Sequence, residues 1–491
     1  MIMKSSFAAV NASAGLTPLP IKDFSNEQLG LLWAQVYHIL HHLSYSPGWV
    51  ADDTTGDVLG QHYYLYMQDF ARLKALVGLD YFPSGRAQSM RRARRHYDEY
   101  IMTMVKNGIK PVIFLFHWDT PLALFNEYGA WSSPKIVDDY FNYAKWVITR
   151  YDKYVPVWFT INEPQYCNWQ YANYLIGDYY PSHGFEKGMP NRFLCGHYTL
   201  LAHAKIAKWY QEEFKGKGKI SFKNSGNYFE PVTNSTEDSV AVQHTLKESL
   251  GDLLPKFTEQ EKKLIKGSCD FYAIDGYTAF YAKSLSPSFC FSCITNRTDP
   301  AWPECAPTSS SAPDGFGVGP AADNGASWLK STPVGIRKFL NHITKELFPS
   351  VKEIMVSEFG FAEPFESECT NLQDAIWDLR RTDHLQWFLD NILLAIHEDE
   401  VNVTGAFTWS ICEFNVSNLL TPLPEVERSG NVWLISDLTC LIDDSFEWSS
   451  GAKVRFGLQY LNYTSLERTP KASMFQYLDW FKNHCGEFIK S

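Results

Sequence analysis

Two glutamates at the ends of apolar runs carry the first chemical signal. Glu163 follows Val155 to Asn162 (VPVWFTIN), and Glu358 ends Glu353 to Glu358 (EIMVSE), so 358 − 163 = 195 positions separate them. Other runs of the same kind end in polar residues too: His117-Trp118-Asp119 after KPVIFLF, and Asp275-Gly276-Tyr277 at the end of SCDFYAIDGY. Either glutamate alone reads as a solvated strand end. Both together, beside His, Asn, Tyr and Trp at equivalent ends, read as a catalytic set. Two carboxyls suit cleavage of an acetal. One, kept protonated, supplies a proton to the leaving oxygen; the other, kept ionised, meets the positive charge at the anomeric carbon.

Such a set needs strands that end on one side. From about residue 110, short β-rich runs alternate with amphipathic stretches. Strands are expected at Lys110 to Trp118, Val155 to Asn162, Lys219 to Asn227, Ser268 to Tyr277, Glu353 to Glu358 and Val401 to Trp409. Helices are expected at Ser133 to Tyr151, Asn191 to Phe214, Glu259 to Ile265 with Thr258 as N-cap, Pro333 to Leu347, Thr382 to His397 and Ala472 to Asn483. Val77 to Phe82, after a helical Tyr63 to Leu76, is a candidate seventh strand. The alternation predicts an α/β chain whose parallel sheet closes into a (β/α)8 TIM barrel, with working residues at the C-terminal strand ends. An open doubly wound sheet is the competing architecture, but no Gly-rich phosphate loop follows any strand.

Composition narrows the partners. With 44 basic and 55 acidic residues among 491, the formal charge is −11, which argues against nucleic acid as a partner. No stretch has the ~18 uninterrupted apolar residues of a membrane helix, so no membrane partner is expected. Aromatics are 15% of residues, which suits a large core or a surface that stacks on sugar rings. Met1 to Val10 begins like a secretory signal, but its apolar run stops at Asn11. Six N-glycosylation sequons, at Asn11, Asn234, Asn296, Asn402, Asn415 and Asn462, favour a secretory ancestry and a glycoprotein. Cys290, Cys293 and Cys305 cluster in a Ser-, Pro- and Gly-rich loop. One Cys-x-x-Cys with no second pair is weak evidence for zinc, and Cys293–Cys305 is instead expected to bridge if the compartment is oxidising. A metallohydrolase built on His38, His41 and His42 lacks a nearby carboxylate. No metal or cofactor is expected.

Several segments resemble family-one glycoside hydrolases of the β-glucosidase type. Thr160-Ile161-Asn162-Glu163-Pro164 resembles their Thr-x-Asn-Glu-Pro motif, and Val356-Ser357-Glu358-Phe359-Gly360 their second glutamate motif, with Ser for Thr and Phe for Asn. Leu115 to Pro121 (LFHWDTP) and Phe446-Glu447-Trp448 are similar as well. The resemblance runs from about Gly48 to the end and looks nearest the filamentous-fungal branch. It implies a retaining β-glycosidase acting on a small-molecule or oligosaccharide β-glycoside. Glu163 would be the acid/base and Glu358 the nucleophile. Asn162 would bond the sugar 2-hydroxyl, and His117 the 3-hydroxyl region with Trp118 beside it. Tyr277 would hold Glu358, Trp409 would lie under the sugar, and Glu447 and Trp448 would hold its outer hydroxyls. Secretion is implied, with cytoplasmic retention the alternative given the shortened signal-like start.

The departures from the family are specific. No sugar-binding Gln-bearing first strand is visible between Leu32 and His38, and the second strand, which in the family carries an Arg near the nucleophile, stops at Phe82. A basic run, Arg86, Arg91, Arg92, Arg94 and Arg95, follows it. The barrel is therefore expected to be incomplete or distorted at its first two strands. Asp275 stands where the family has Asn, which adds a negative charge beside the nucleophile. Between Trp409 and Glu447 lie 447 − 409 − 1 = 37 residues where the family has a few, and Cys412 to Asp443 reads as foreign sequence. This gives a segment 1–47, then a barrel domain 48–491 with an insertion at 412–443. A catalytically impaired relative with an incomplete barrel is the alternative reading. Oligomeric state is not legible in the sequence.

Overall fold

The computed structural model describes residues 50–52, 90–106, 110–118, 120–167, 189–233, 235, 254–283, 293, 296, 305–312, 314–409, 447 and 450–484. The Leu32 to His38 stretch, where no first strand was visible, the candidate strand Val77 to Phe82, the His38, His41 and His42 group, Cys290, Arg86, Cys412 to Asp443 and Trp448 lie outside these residues.

The strands among the described residues are β1 (Val112–Phe114), β2 (Val157–Phe159), β3 (Lys219–Ser221), β4 (Lys223–Pro231), β5 (Tyr272–Ala282), β6 (Thr308–Ser309), β7 (Ile354–Phe359), β8 (Val403–Thr408), β9 (Gln459–Leu461) and β10 (Arg468–Pro470). β1, β2 and β3 pair in parallel in chain order, with Val112 opposite Val157 and Val157 opposite Lys219. β4, β5, β7 and β8 do the same, with Lys223 opposite Ala273, Tyr272 opposite Ile354, and Ile354 opposite Val403. Only Phe222 separates β3 from β4, so the described residues give six successive parallel staves of the barrel. β6 pairs antiparallel with β5, and β9 with β10, outside this series.

The helices are α1 (Met90–Lys106), α2 (Leu122–Tyr128), α3 (Lys135–Tyr151), α4 (Met189–Lys208), α5 (Glu259–Ile265), α6 (Pro333–Asn341), α7 (Leu372–Ile376), α8 (Leu379–His397) and α9 (Ala472–His484). Arg91, Arg92, Arg94 and Arg95 fall within α1. Pairing alternates two cores along each strand. Val112, Phe114, Val157, Phe159, Phe271, Ala273, Met355 and Phe407 make one buried cluster, the barrel interior. The residues between them, such as Ile113, Trp158, Ile274 and Val356, join a larger cluster with the helices. A strand buried on both faces must be apolar throughout, and that is why these runs stand out in the sequence. α3 meets this layer through Ile136, Tyr140, Ala144 and Ile148, each four residues from the next. Full burial of an aliphatic side chain of this kind contributes roughly 1.5–3 kcal/mol.

Element boundaries follow local chemistry. α5 begins where Thr258 predicts it: Thr258 Oγ1 accepts from the Glu261 amide at 3.2 Å, and the Thr258 amide donates to Glu261 Oε2 at 2.7 Å. The strand expected over Ser268 to Tyr277 instead runs Tyr272–Ala282. Asp270 precedes it, with its amide donating to Ile220 O at 3.0 Å and its carboxylate accepting from the Ile220 amide at 2.8 Å, while pairing with β4 carries the strand on to Ala282. α8 starts at Leu379, ahead of the expected Thr382, where Arg381 is wholly buried in an ion network. α4 and α6 continue as π-helical turns over Trp209–Phe214 and His342–Leu347, inside the expected helical spans.

Candidate active site

Backbone bonds at the strand exits bring the polar residues together. Beyond β1 and β2, the Asn162 amide donates to Phe116 O at 2.9 Å, and the Glu163 amide donates to Lys223 O at 3.1 Å. Lys223 returns a bond from its own amide to Ile161 O at 3.0 Å. Trp118 (φ 70°) and Glu163 (φ 40°) both sit in the left-handed region, a conformation that costs a side-chain-bearing residue about 1–3 kcal/mol and clusters at functional sites. Across the sheet, β5 and β7 slip register after Ile274, which sets Asp275 opposite Glu358. Past β8, the Trp409 amide donates to Phe359 O at 2.6 Å.

The side chains converge accordingly. One oxygen each from Glu163, Asp275 and Glu358 lies within 4.8 Å of the others. Tyr277 OH donates to Glu358 Oε2 at 2.9 Å. The Lys223 ammonium bonds Glu358 Oε1 and lies 3.3 Å from Asp275 Oδ2, within ion-pair range but without hydrogen-bond geometry. Ser357 Oγ donates to the other oxygen, Asp275 Oδ1, at 2.7 Å. His117 lies between two indoles, with ring centroids 5.7 Å from Trp118 and 5.6 Å from Trp409. Trp118 Nε1 donates to Asn162 O at 3.1 Å. The Asn162 carboxamide is buried with neither its oxygen nor its nitrogen bonded among the described residues. Trp409 Nε1 donates to Glu447 Oε1 at 3.1 Å, so the two ends of the 37-residue stretch meet.

Burial, and then the neighbouring Glu358 charge, push Glu163 up to about 7, while Lys223 and His117 pull the other way. Glu163 is thus placed to hold a proton near neutrality and release it easily. Burial and Glu358 together also raise Asp275 well above the ordinary aspartate range, against the pull of Lys223. The same two causes raise Tyr277, which keeps its proton for the bond to Glu358.

Seven of the expected site residues, His117, Trp118, Asn162, Glu163, Tyr277, Glu358 and Trp409, come from the C-terminal ends of five of the six staves, and Glu447 joins them through Trp409. Trp448 lies outside the described residues. The negative charge expected of Asp275 needs qualifying, since burial favours its protonated form and a cation stands beside it. That cation, Lys223, was missed by sequence reasoning. Its signal was faint: it lies two residues after Ser221, on the same inward face of a β-rich run. Cys293 is bonded to Cys305 with Cα atoms 5.8 Å apart, as expected, so neither is a free metal ligand. A second bridge, Cys167–Cys195, had no sequence signal beyond the cysteines themselves.

A parallel barrel with paired carboxyls at its strand exits has the form of an acid–base hydrolase, and comparison with known proteins narrows the class. Glycosyl hydrolase family 1 matches residues 38–251 and 241–419. Beta-glucosidase 1B of Phanerodontia chrysosporium is 30% identical over 426 residues, 81% of this chain and 69% of that protein. Beta-glucosidase 25 of Oryza sativa subsp. japonica is 28% identical over 484 residues, covering 89% and 87%. The crystal structure of the β-glucosidase from Trichoderma harzianum superposes with a TM-score of 0.73 at 25% identity, covering 91% and 92%. The chain belongs to glycosyl hydrolase family 1. It is a glycosyl hydrolase, and its fold is the (β/α)8 barrel.

Proposed function

We propose that this chain is a retaining β-glycosidase of the β-glucosidase type, releasing terminal β-linked sugars from small-molecule or oligosaccharide β-glucosides. The observation that carries the reading is the close approach of Glu163 and Glu358, with carboxylate atoms within 4.8 Å. Retention needs carboxyls roughly 5–5.5 Å apart, and inversion roughly 6.5–9.5 Å. In the first step a Glu358 oxygen bonds to the anomeric carbon as the bond to the leaving oxygen breaks, and the Glu163 proton passes to that oxygen. In the second, Glu163 takes a proton from water, the water oxygen bonds to the anomeric carbon, and the bond to Glu358 breaks. The unpaired Asn162 carboxamide suits a sugar 2-hydroxyl, and His117 the neighbouring hydroxyl beside Trp118. Trp409 offers the stacking face, with Glu447 and Trp448 for the outer hydroxyls. Tyr277 orients Glu358.

The test is chemical rescue. Glu358→Ala should lose activity and regain it with azide, giving the glycosyl azide of inverted configuration; a retained azide, or no rescue in a folded variant, overturns the assignment. The competing reading, an impaired relative with an incomplete barrel, predicts no release from a chromogenic β-glucoside and no single cooperative unfolding step. An oxidising compartment, and hence secretion, is supported by two disulfides and by the sequons. No helix among the described residues is long and apolar enough to cross a membrane.

A further inference from the structure

One residue joins both halves of the proposed carboxyl pair. The Lys223 side chain is wholly buried. Its amide and carbonyl clamp the Ile161 to Glu163 segment, while its ammonium holds Glu358 and approaches Asp275. The ammonium also lies 4.4 Å from the Phe114 ring centroid, over a face of the barrel interior. We propose that Lys223 is a positioning residue that holds the Glu358 carboxylate fixed against the Glu163 segment, and that it offsets the added carboxyl of Asp275. This rests on the reading of Glu358 as nucleophile.

The argument is one of charge in a dry place. Around Glu358 the titratable and charged groups among the described residues are Lys223 on β4, Asp275 and Tyr277 on β5, Glu163 beyond β2 and His117 beyond β1. From the β8 side comes the uncharged ring of Trp409, bonded to Glu447. Three carboxyls so close cannot all ionise without a cation. One buried ammonium balances one carboxylate, which leaves the other two disposed to hold protons, in line with the upward shifts of Glu163 and Asp275. The ammonium bonds one Glu358 oxygen and Tyr277 the other, so the carboxylate plane is fixed from both sides. Each oxygen keeps a further lone pair for the anomeric carbon. Lys223 itself exchanges no proton and forms no covalent bond in the reaction.

Lys223→Met, Asp275→Asn and the double variant, made in the full chain, test this by two measurements. The first is inactivation by a dinitrophenyl β-glucoside fluorinated beside the anomeric carbon, followed against pH with the labelled peptide identified. Lys223→Met should shift the rise of the inactivation rate to higher pH by about one to three units, and the double variant should reverse part of the shift. The second is thermal unfolding against pH. Without the ammonium the folded state holds protons that the unfolded state releases, so the stability deficit of Lys223→Met should widen from about pH 5 to about pH 8 and shrink in the double variant. A pH-independent deficit, or a double variant no better than the single one, overturns the proposal. Label on a residue other than Glu358 overturns the nucleophile assignment instead, and the unfolding measurement still judges the role of Lys223.

Discussion

In the proposed reaction Glu163 must hold a proton until the leaving oxygen needs it and then act as a base, which a carboxyl near 7 can do. Glu163→Gln should therefore lower kcat/KM on alkyl glucosides by about 10²–10⁴-fold and far less on dinitrophenyl glucosides, whose leaving group needs no proton. Equal losses on both would remove Glu163 from that role. The pH profile should show a basic limb near 7 that disappears in this variant. The same raised value affects stability. Below 4.5, its ordinary value, folded and unfolded states both hold the proton; between 4.5 and about 7 only the folded state does, so this contribution to stability is lost as pH rises. Glu163→Gln should flatten the fall in Tm over that window. The carboxyls, His117, Asn162 and Tyr277 were legible because each ends an apolar run. Lys223 was not, because a lysine in a β-rich stretch ordinarily marks a solvated face, and only the fold turns it inward.

Strand exits position these groups only if neighbouring exits pack at the right height. Gly360, directly after β7, shows the tolerance: a Cβ there would stand 2.1 Å from Trp409 O, a backbone atom. Gly360→Ala should displace Trp409 and break its amide bond to Phe359. The expected outcome is a lower Tm and a raised KM, read by thermal unfolding and steady-state kinetics; a variant with both unchanged would show that the two exits are free to separate. Six staves were legible because burial on both faces leaves uninterrupted apolar runs. Boundaries were less so. Asp270 stands ahead of β5 with its carboxylate on the Ile220 amide, and α8 extends back past Arg381 to Leu379, although the Arg381 charge reads as surface and is wholly buried. In both cases a partner far along the chain, the Ile220 amide or the Arg455 carbonyl, meets the side chain, and no local pattern records it.

At the scale of the whole molecule, a buried ion network joins residues on either side of the long stretch after Trp409. Arg381 bonds Asp378 Oδ2 at 2.6 Å, Glu366 Oε2 at 2.7 Å and the Arg455 carbonyl at 2.6 Å. Lys471 reaches Glu366 Oε1 at 2.5 Å, and the Ser473 amide donates to Asp378 Oδ1 at 2.9 Å. Trp480 on α9 donates to Asp390 on α8 at 2.7 Å. Removing one partner of such a buried network typically costs about 3–5 kcal/mol, and Arg381→Met should lower Tm accordingly. Deleting Cys412 to Asp443 should leave the Trp409–Glu447 bond in place, since that contact already brings the flanks together; loss of the fold on deletion would refute this. The same embrace has a further meaning. The peptide link between Trp409 and Glu447 is not what keeps the C-terminal portion seated; Asp378, Arg381 and Glu366 already grip it from the other side. Two separately expressed fragments, parted within that interval, should find one another and reconstitute a single particle, and Arg381→Met should weaken their reunion.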